Sequence, residues 1–204
     1  MNTVFMLAEI LTTFIEGILL FSTVELLCGS KWTGKKRAIT KILCALLYTF
    51  VILLLNRIEL FSILTLSIGI IVSAIISLLF GNKDFWYQLL VVSLFVLVVV
   101  IIDSVTNIIF GVASGNAKLP TQIVSTVGLS RTIYILFVKG INVIAYYIFK
   151  AMSNKAPRYP ISSLVISLIL SVVAFASVHF TYDAVLSLSI EKMQSSLALS
   201  LIHI

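Results

Sequence analysis

The stretch WYQLLVVSLFVLVVVIIDSVTNIIFGVA, residues 86–113, carries a single charge, Asp103, in 28 positions. A helix needs about 20 consecutive, mostly apolar residues to cross the hydrocarbon core of a bilayer. Residues 60–80, with no charge at all, repeat the pattern. Working outward, further runs of the same kind fall at 4–27, 39–55, 131–149 and 161–181. The turn signals sit between them: Gly29-Ser30, Gly81-Asn82, Gly115-Asn116, and Pro157 with Pro160. The expected fold is an all-α polytopic transmembrane bundle of six spans. The start of a seventh lies at 193–198, and residues 1–198 form one domain.

Composition points the same way. The chain is 60% hydrophobic and 11% charged over 204 residues. A water-soluble domain of that length needs more ionic surface than this. The polar stretches are too short to build an aqueous core. No basic segment opens the chain and the first span holds three glutamates, so a cleavable leader is not expected. Cys28 and Cys44 have no metal-site spacing and read as small packing residues.

The formal charge of +6 is concentrated. Lys31, Lys35, Lys36, Arg37 and Lys41 lie between the first two spans. Lys83 follows the third, and Lys150, Lys155 and Arg158 follow the fifth. Arg57, Lys118 and Arg131 lie on the other side. Lysine and arginine accumulate in cytoplasmic loops, which puts the N-terminus outside and makes 31–41 a basic loop at the membrane surface. Its partner is the lipid bilayer rather than nucleic acid. Trp32, Phe85, Trp86, Tyr87 and Tyr159 are expected at the same interface as aromatic anchors.

Ionisable residues inside spans carry the chemistry, because a charge at mid-bilayer costs about 2.5–3.5 kcal/mol and so seeks a partner within the bundle. At 1.5 Å per residue, Glu16 and Lys139 both come near mid-depth, and with opposite charge they are expected to meet. Loss of Glu16 alone is then expected to be worse tolerated than loss of both. Glu9 shares a helix face with Glu16, two turns away. Glu25 is expected to pair with Lys31, Lys35 or a neighbour. Asp103 and Asn107 share a face at i and i+4 and are expected at a depth like that of Glu9, close to Arg131. Glu9, Glu16, Asp103, Asn107, Arg131 and Lys139 are therefore the candidate ligand pocket or polar switch, or the glue between helices. His179 reads as interfacial. Ser163, Ser167, Ser171 and Ala174 form a small-residue stripe suited to close helix approach. No nucleophile set, phosphate loop or metal cluster can be assembled.

The last six residues, Leu199-Ser200-Leu201-Ile202-His203-Ile204, match the codons CTG TCT CTT ATA CAC ATC, a run that resembles a sequencing-adapter end. Residues 199–204 are thus expected to be non-native, with the natural chain continuing past about Ala198.

Phe14-Ile15-Glu16-Gly17-Ile18 in a first helix followed by a basic loop, Leu136-Phe137-Val138-Lys139-Gly140 in the fifth, and Tyr159-Pro160-Ile161 opening the sixth together resemble a known family. It is the membrane sensor domain of accessory-gene-regulator-like, GHKL-type bacterial sensor histidine kinases. The resemblance covers roughly residues 1–192 and lies mostly in layout. It implies an extracellular peptide ligand, a homodimer in the bacterial cytoplasmic membrane, and a response regulator reached through a kinase domain outside this chain. It implies ATP and magnesium for that kinase domain alone, and neither a cofactor nor catalytic residues here. Two other classes fit the composition. One is a six-helix transporter or substrate-binding transporter subunit. The other is a membrane enzyme using Glu9, Glu16 and Asp103, although no paired motif such as HExxH supports it.

Overall fold

A computed structural model describes residues 2–58, 63–113, 123, 128–153, 165, 166, 168, 169 and 172. Five helices run through them: α1 (Asn2–Cys28), α2 (Gly34–Ile58), α3 (Ile63–Ser77), α4 (Phe85–Ala113) and α5 (Leu129–Ser153). Four contain segments long and apolar enough to cross a membrane, as in a multi-pass membrane protein: Met6–Cys28, Gly34–Leu55, Phe85–Gly111 and Leu129–Ala151.

Among the described residues, four of the expected six spans are thus seen at membrane length. The third is a 15-residue helix over its described length, about 22 Å at the α-helical rise. Most of the sixth, the small-residue stripe, His179, the start of a seventh and residues 199–204 lie outside the described residues.

The bundle is apolar outside and partly polar within. On α2, Leu43, Leu46, Leu47, Phe50 and Leu54 are all exposed, while Thr49 on the inner face is buried. Thr12, Thr23, Ser73, Ser77, Gln88, Thr106 and Asn142 are buried elsewhere. Water would penalise this arrangement; hydrocarbon rewards it, because every polar group must then find its partner inside. The hydroxyls comply by bonding one turn back, Thr49 to the Ala45 carbonyl at 2.7 Å and Thr106 to that of Ile102 at 2.7 Å.

Neighbouring helices alternate in direction. Lys41 meets Glu25 and Tyr48 meets Glu16, so α2 runs antiparallel to α1. Ser77 meets Gln88 across the α3–α4 turn. Asp103 meets Asn142, and Asn107 meets Tyr134, so α4 and α5 are antiparallel. By contrast α1 and α5 run parallel, since Glu9 pairs with Arg131 and Glu16 with Lys139.

The apolar core lies toward one end, where α1 and α3 finish and α2 and α4 begin. Leu20, Phe21, Val24, Ala45, Ala74, Phe80, Val91 and Val92 are fully buried there, with Phe21 edge-on to Phe80 at 6.4 Å. Two turns close this end together. Gly29 and Gly34 take positive φ (73° and 57°), which glycine adopts without steric cost. The Lys31 amide donates to the Phe80 carbonyl at 3.0 Å, making an antiparallel bridge between Ser30 and Gly81. The Lys31 ammonium and the Trp32 indole donate to the Leu78 and Leu79 carbonyls at 2.6 and 3.0 Å, capping α3 from outside its own sequence. Gln88 is fully buried and staples the second turn. Its amide donates to the Gly81 and Lys83 carbonyls (3.2 and 2.6 Å), and its oxygen accepts from Ser77 (2.6 Å).

Two readings of this end need correction. The stretch 31–41 is not one basic loop: α2 starts at Gly34, so Lys35, Lys36, Arg37 and Lys41 are helical. Lysine and arginine are good helix formers, and their charge does not break a helix at the membrane surface. Tyr87 is not an interfacial anchor either. It is buried, with its hydroxyl 3.5 Å from the Leu27 carbonyl, whereas Trp86 faces outward at 70% exposure.

Candidate functional site

The intramembrane charges gather where α5 lies against α1 and α4. Two rungs join α1 to α5. In the first, Arg131 Nη2 lies 2.6 Å from Glu9 Oε1. In the second, Lys139 Nζ lies 2.8 Å from Glu16 Oε2. Glu9 and Glu16 are two turns apart on one face of α1, and Arg131 and Lys139 are eight residues apart on α5, so parallel helices bring both pairs into step.

The second rung is a junction of four helices. From α2, the Tyr48 hydroxyl donates to Glu16 Oε1 at 2.8 Å. From α4, Asp103 Oδ2 lies 3.4 Å from the same Lys139 Nζ. From α5, Asn142 Nδ2 donates to Asp103 Oδ1 at 3.0 Å. The side chains of Lys139 and Glu16 are 18% and 19% exposed, against 34% for Asp103. Glu16 thus has two close donors and is largely enclosed. Asp103 has a longer contact with the ammonium and a more open edge. One ammonium serves two carboxylates.

The position of Asp103 differs from the expectation. It sits at the level of Glu16 and Lys139 rather than of Glu9 and Arg131. It lies ten residues before the end of α4 at Ala113, and Lys139 ten after the start of α5 at Leu129, so antiparallel helices bring the two level. Asn107, one turn nearer that end, accepts from the Tyr134 hydroxyl, and Phe110 packs edge-on against the Tyr134 ring at 5.4 Å. Arg131 pairs with Glu9 alone among the candidate acids.

Glu25 stands apart, as its position nine residues beyond Glu16 implies. Its partners are Arg37 (3.1 Å) and Lys41 (2.6 Å), one turn apart on α2, not Lys31 or Lys35. Lys31 is turned toward the end of α3 instead.

Tyr48, Asn142 and Tyr134 were not among the sequence candidates, and all three belong to the network. Once Lys41 pairs with Glu25, antiparallel packing brings Tyr48 beside Glu16, so that signal was present but depended on a contact. Asn142 lies three residues beyond Lys139, on the same face, and has no charge to mark it. Gly17 explains the close approach of Tyr48. A Cβ there would fall 2.9 Å from the Tyr48 ring and 3.1 Å from the Ala45 carbonyl oxygen.

A recess beside the first rung is lined by Ala8, Glu9, Thr12, Arg131, Thr132 and Ile135. Its volume is about 10 Å³, the room of one water, not of a peptide or drug-sized ligand. No group of three or more His, Cys, Asp or Glu able to hold a metal ion occurs among the described residues. What the arrangement can do is exchange partners at the second rung, where one ammonium has two carboxylates within reach.

No family model, curated protein or solved structure matches this chain. The class that fold and site define is an all-helical protein with four membrane-length helices and a charged junction inside the bundle.

Proposed function

We propose that the chain is the membrane-embedded signal-sensing domain of a bacterial sensor histidine kinase of the two-component or quorum-sensing type. The observation that carries this reading is the parallel α1–α5 pair joined by two ion-pair rungs. A ligand binding at the Glu9–Arg131 end has a direct route to the second rung, because both rungs share the same two helices. A shift of α5 sideways toward α1 or toward α4 re-pairs Lys139 between Glu16 and Asp103, giving two discrete packings. A signal passes only if the ligand prefers one of them.

In this reading the chain crosses the bacterial cytoplasmic membrane six times with its N-terminus outside. Lys31, Lys35, Lys36, Arg37, Lys41, Lys83 and Lys150 then face the cytoplasm at the end that also carries the apolar core. A short extracellular peptide is the ligand, and a homodimer the working unit. The kinase domain, with its ATP and magnesium, and the response regulator stand on the cytoplasmic side.

Two experiments test the reading. In a Cys28→Ala/Cys44→Ala background, a membrane-impermeant thiol reagent should label Lys36→Cys only after the membrane is opened, and Asn2→Cys in intact cells. The reverse pattern overturns the orientation. The gene in its genome tests the output. A reading frame that continues into an ATP-binding kinase domain supports the proposal. A stop codon directly after this chain, beside genes for a transporter's ATPase and permease, sinks it in favour of a transporter subunit.

A further inference from the structure

The second rung contains more acid than base. Within hydrogen-bonding reach of Lys139 Nζ stand Glu16 at 2.8 Å and Asp103 at 3.4 Å, so the junction carries an excess negative charge if both are ionised. Arg131 gives no relief, because it is two turns away on α5 and holds Glu9 at 2.6 Å. Among the described residues of the helices packed on the junction, the other polar groups near it are neutral: Tyr48 from α2, Asn107 from α4, and Tyr134 and Asn142 from α5. An uncompensated charge at this depth is removed by taking up a counter-charge.

A second observation favours a proton as that counter-charge. Asn142 is 4% exposed, and its Nδ2 touches Asp103 while its Oδ1 is buried without a partner. Unpaired buried acceptors are rare, and each asks for a donor. Turning the amide by 180° brings Oδ1 to Asp103, where it can accept from a carboxylic O–H. The same side chain therefore serves Asp103 with or without a proton. A metal cation fits poorly, because the Lys139 ammonium already lies between the two carboxylates. Glu16 already holds two donors at 2.8 Å, the Lys139 ammonium and the Tyr48 hydroxyl.

We propose that Asp103, with Asn142 as its switchable partner, is an exchangeable proton-binding site within the bundle. The proton comes from a hydronium ion of the solvent, whose O–H bond breaks to leave water as the Asp103 O–H bond forms, and the reverse step returns it. The partly open edge of Asp103 is its route, whereas Glu16 is enclosed by Tyr48 and Lys139. With the proton on, Lys139 belongs to Glu16 alone; with it off, Lys139 is shared.

Infrared difference spectroscopy on the wild-type chain in neutral-lipid nanodiscs tests this without ligand or kinase, so its outcome is separate from that of the receptor reading. The expected result, in sodium-free buffer at neutral pH, is a carboxylic-acid carbonyl band that shifts in heavy water and disappears at alkaline pH. Asp103→Asn should abolish it. Glu16→Gln should abolish it as well, because it leaves one carboxylate for one ammonium. The proposal is overturned by absence of the band from the wild type, by its survival in Asp103→Asn, or by its removal with sodium at fixed pH, which would make the junction a cation site.

Discussion

The end of the bundle where α1 and α3 finish and the face where α5 meets α1 and α4 are held by different forces. The first is an apolar core closed by backbone and amide hydrogen bonds, with Phe21, Phe80, Val91 and Val92 fully buried and Gln88 satisfying three groups at once. Each of these partners has one place to go. The second is held by charges and hydroxyls, and Lys139 there has two carboxylates to choose between. Close packing resists small displacements, while interhelical ion pairs can exchange. The lesson is a division of labour: one end fixes the helices, and one face lets them re-pair.

The largest effect that would break this contrast is expected at Lys139. Lys139→Leu leaves Glu16 and Asp103 facing each other with no cation, a loss of about 3–5 kcal/mol for a broken buried pair. Thermal denaturation in detergent or nanodiscs should show it as the least stable of these variants. Glu16→Leu should be milder than Lys139→Leu, because Asp103 still pairs with the lysine. The double variant Glu16→Leu/Lys139→Leu strands Asp103, and adding Asp103→Asn should restore stability. The third partner thus replaces the two-residue ranking that Glu16 and Lys139 alone suggest. Equal melting of the single and triple variants would deny the junction.

At the fixed end, Gln88→Leu should cost on the order of 2 kcal/mol by leaving the Gly81 and Lys83 carbonyls unpaired, while the Ser77 hydroxyl keeps its bond to the Ala74 carbonyl. Hydrogen exchange should rise at 78–84 and stay unchanged along α5. Gly17→Ala sits between the two regions, pushing on Tyr48 and the Ala45 carbonyl, and overpacking of this kind costs about 1–3 kcal/mol. Its signature is a perturbed Tyr48 environment in ultraviolet resonance Raman spectra. The smallest effect belongs to Arg131→Gln. Glu9 is 37% exposed, and partly exposed pairs contribute less than about 1 kcal/mol. A large loss there would mean that the first rung also belongs to the fixed part of the molecule.

Much of this was legible in the sequence, for a definite reason. Long apolar runs have one stable form in lipid, so α1, α4 and α5 fall within a few residues of the hydropathy reading. Depth alone brought Glu16 to Lys139, because opposite charges at one level in a bundle have few other partners. Asp103 lies ten residues from Ala113, an end that hydropathy also marks, so its level beside Lys139 follows from the sequence, and placing it with Glu9 sets it too shallow. The start of α2 was misplaced because hydropathy marks where a helix leaves lipid, not where it stops being a helix. Asn142 and Tyr48 stayed hidden because neutral polar residues reveal themselves only through neighbours on other helices.

The clasp between Ser30 and Gly81 has a mechanical consequence. Because the turn after α1 also seals α3, the two hairpins α1–α2 and α3–α4 are tied at their tips, like tongs joined at the handle. A pull on either tip is shared by both, so they travel as one block at that end. Any relative motion left to the described helices therefore falls to α5, held by its two charged rungs.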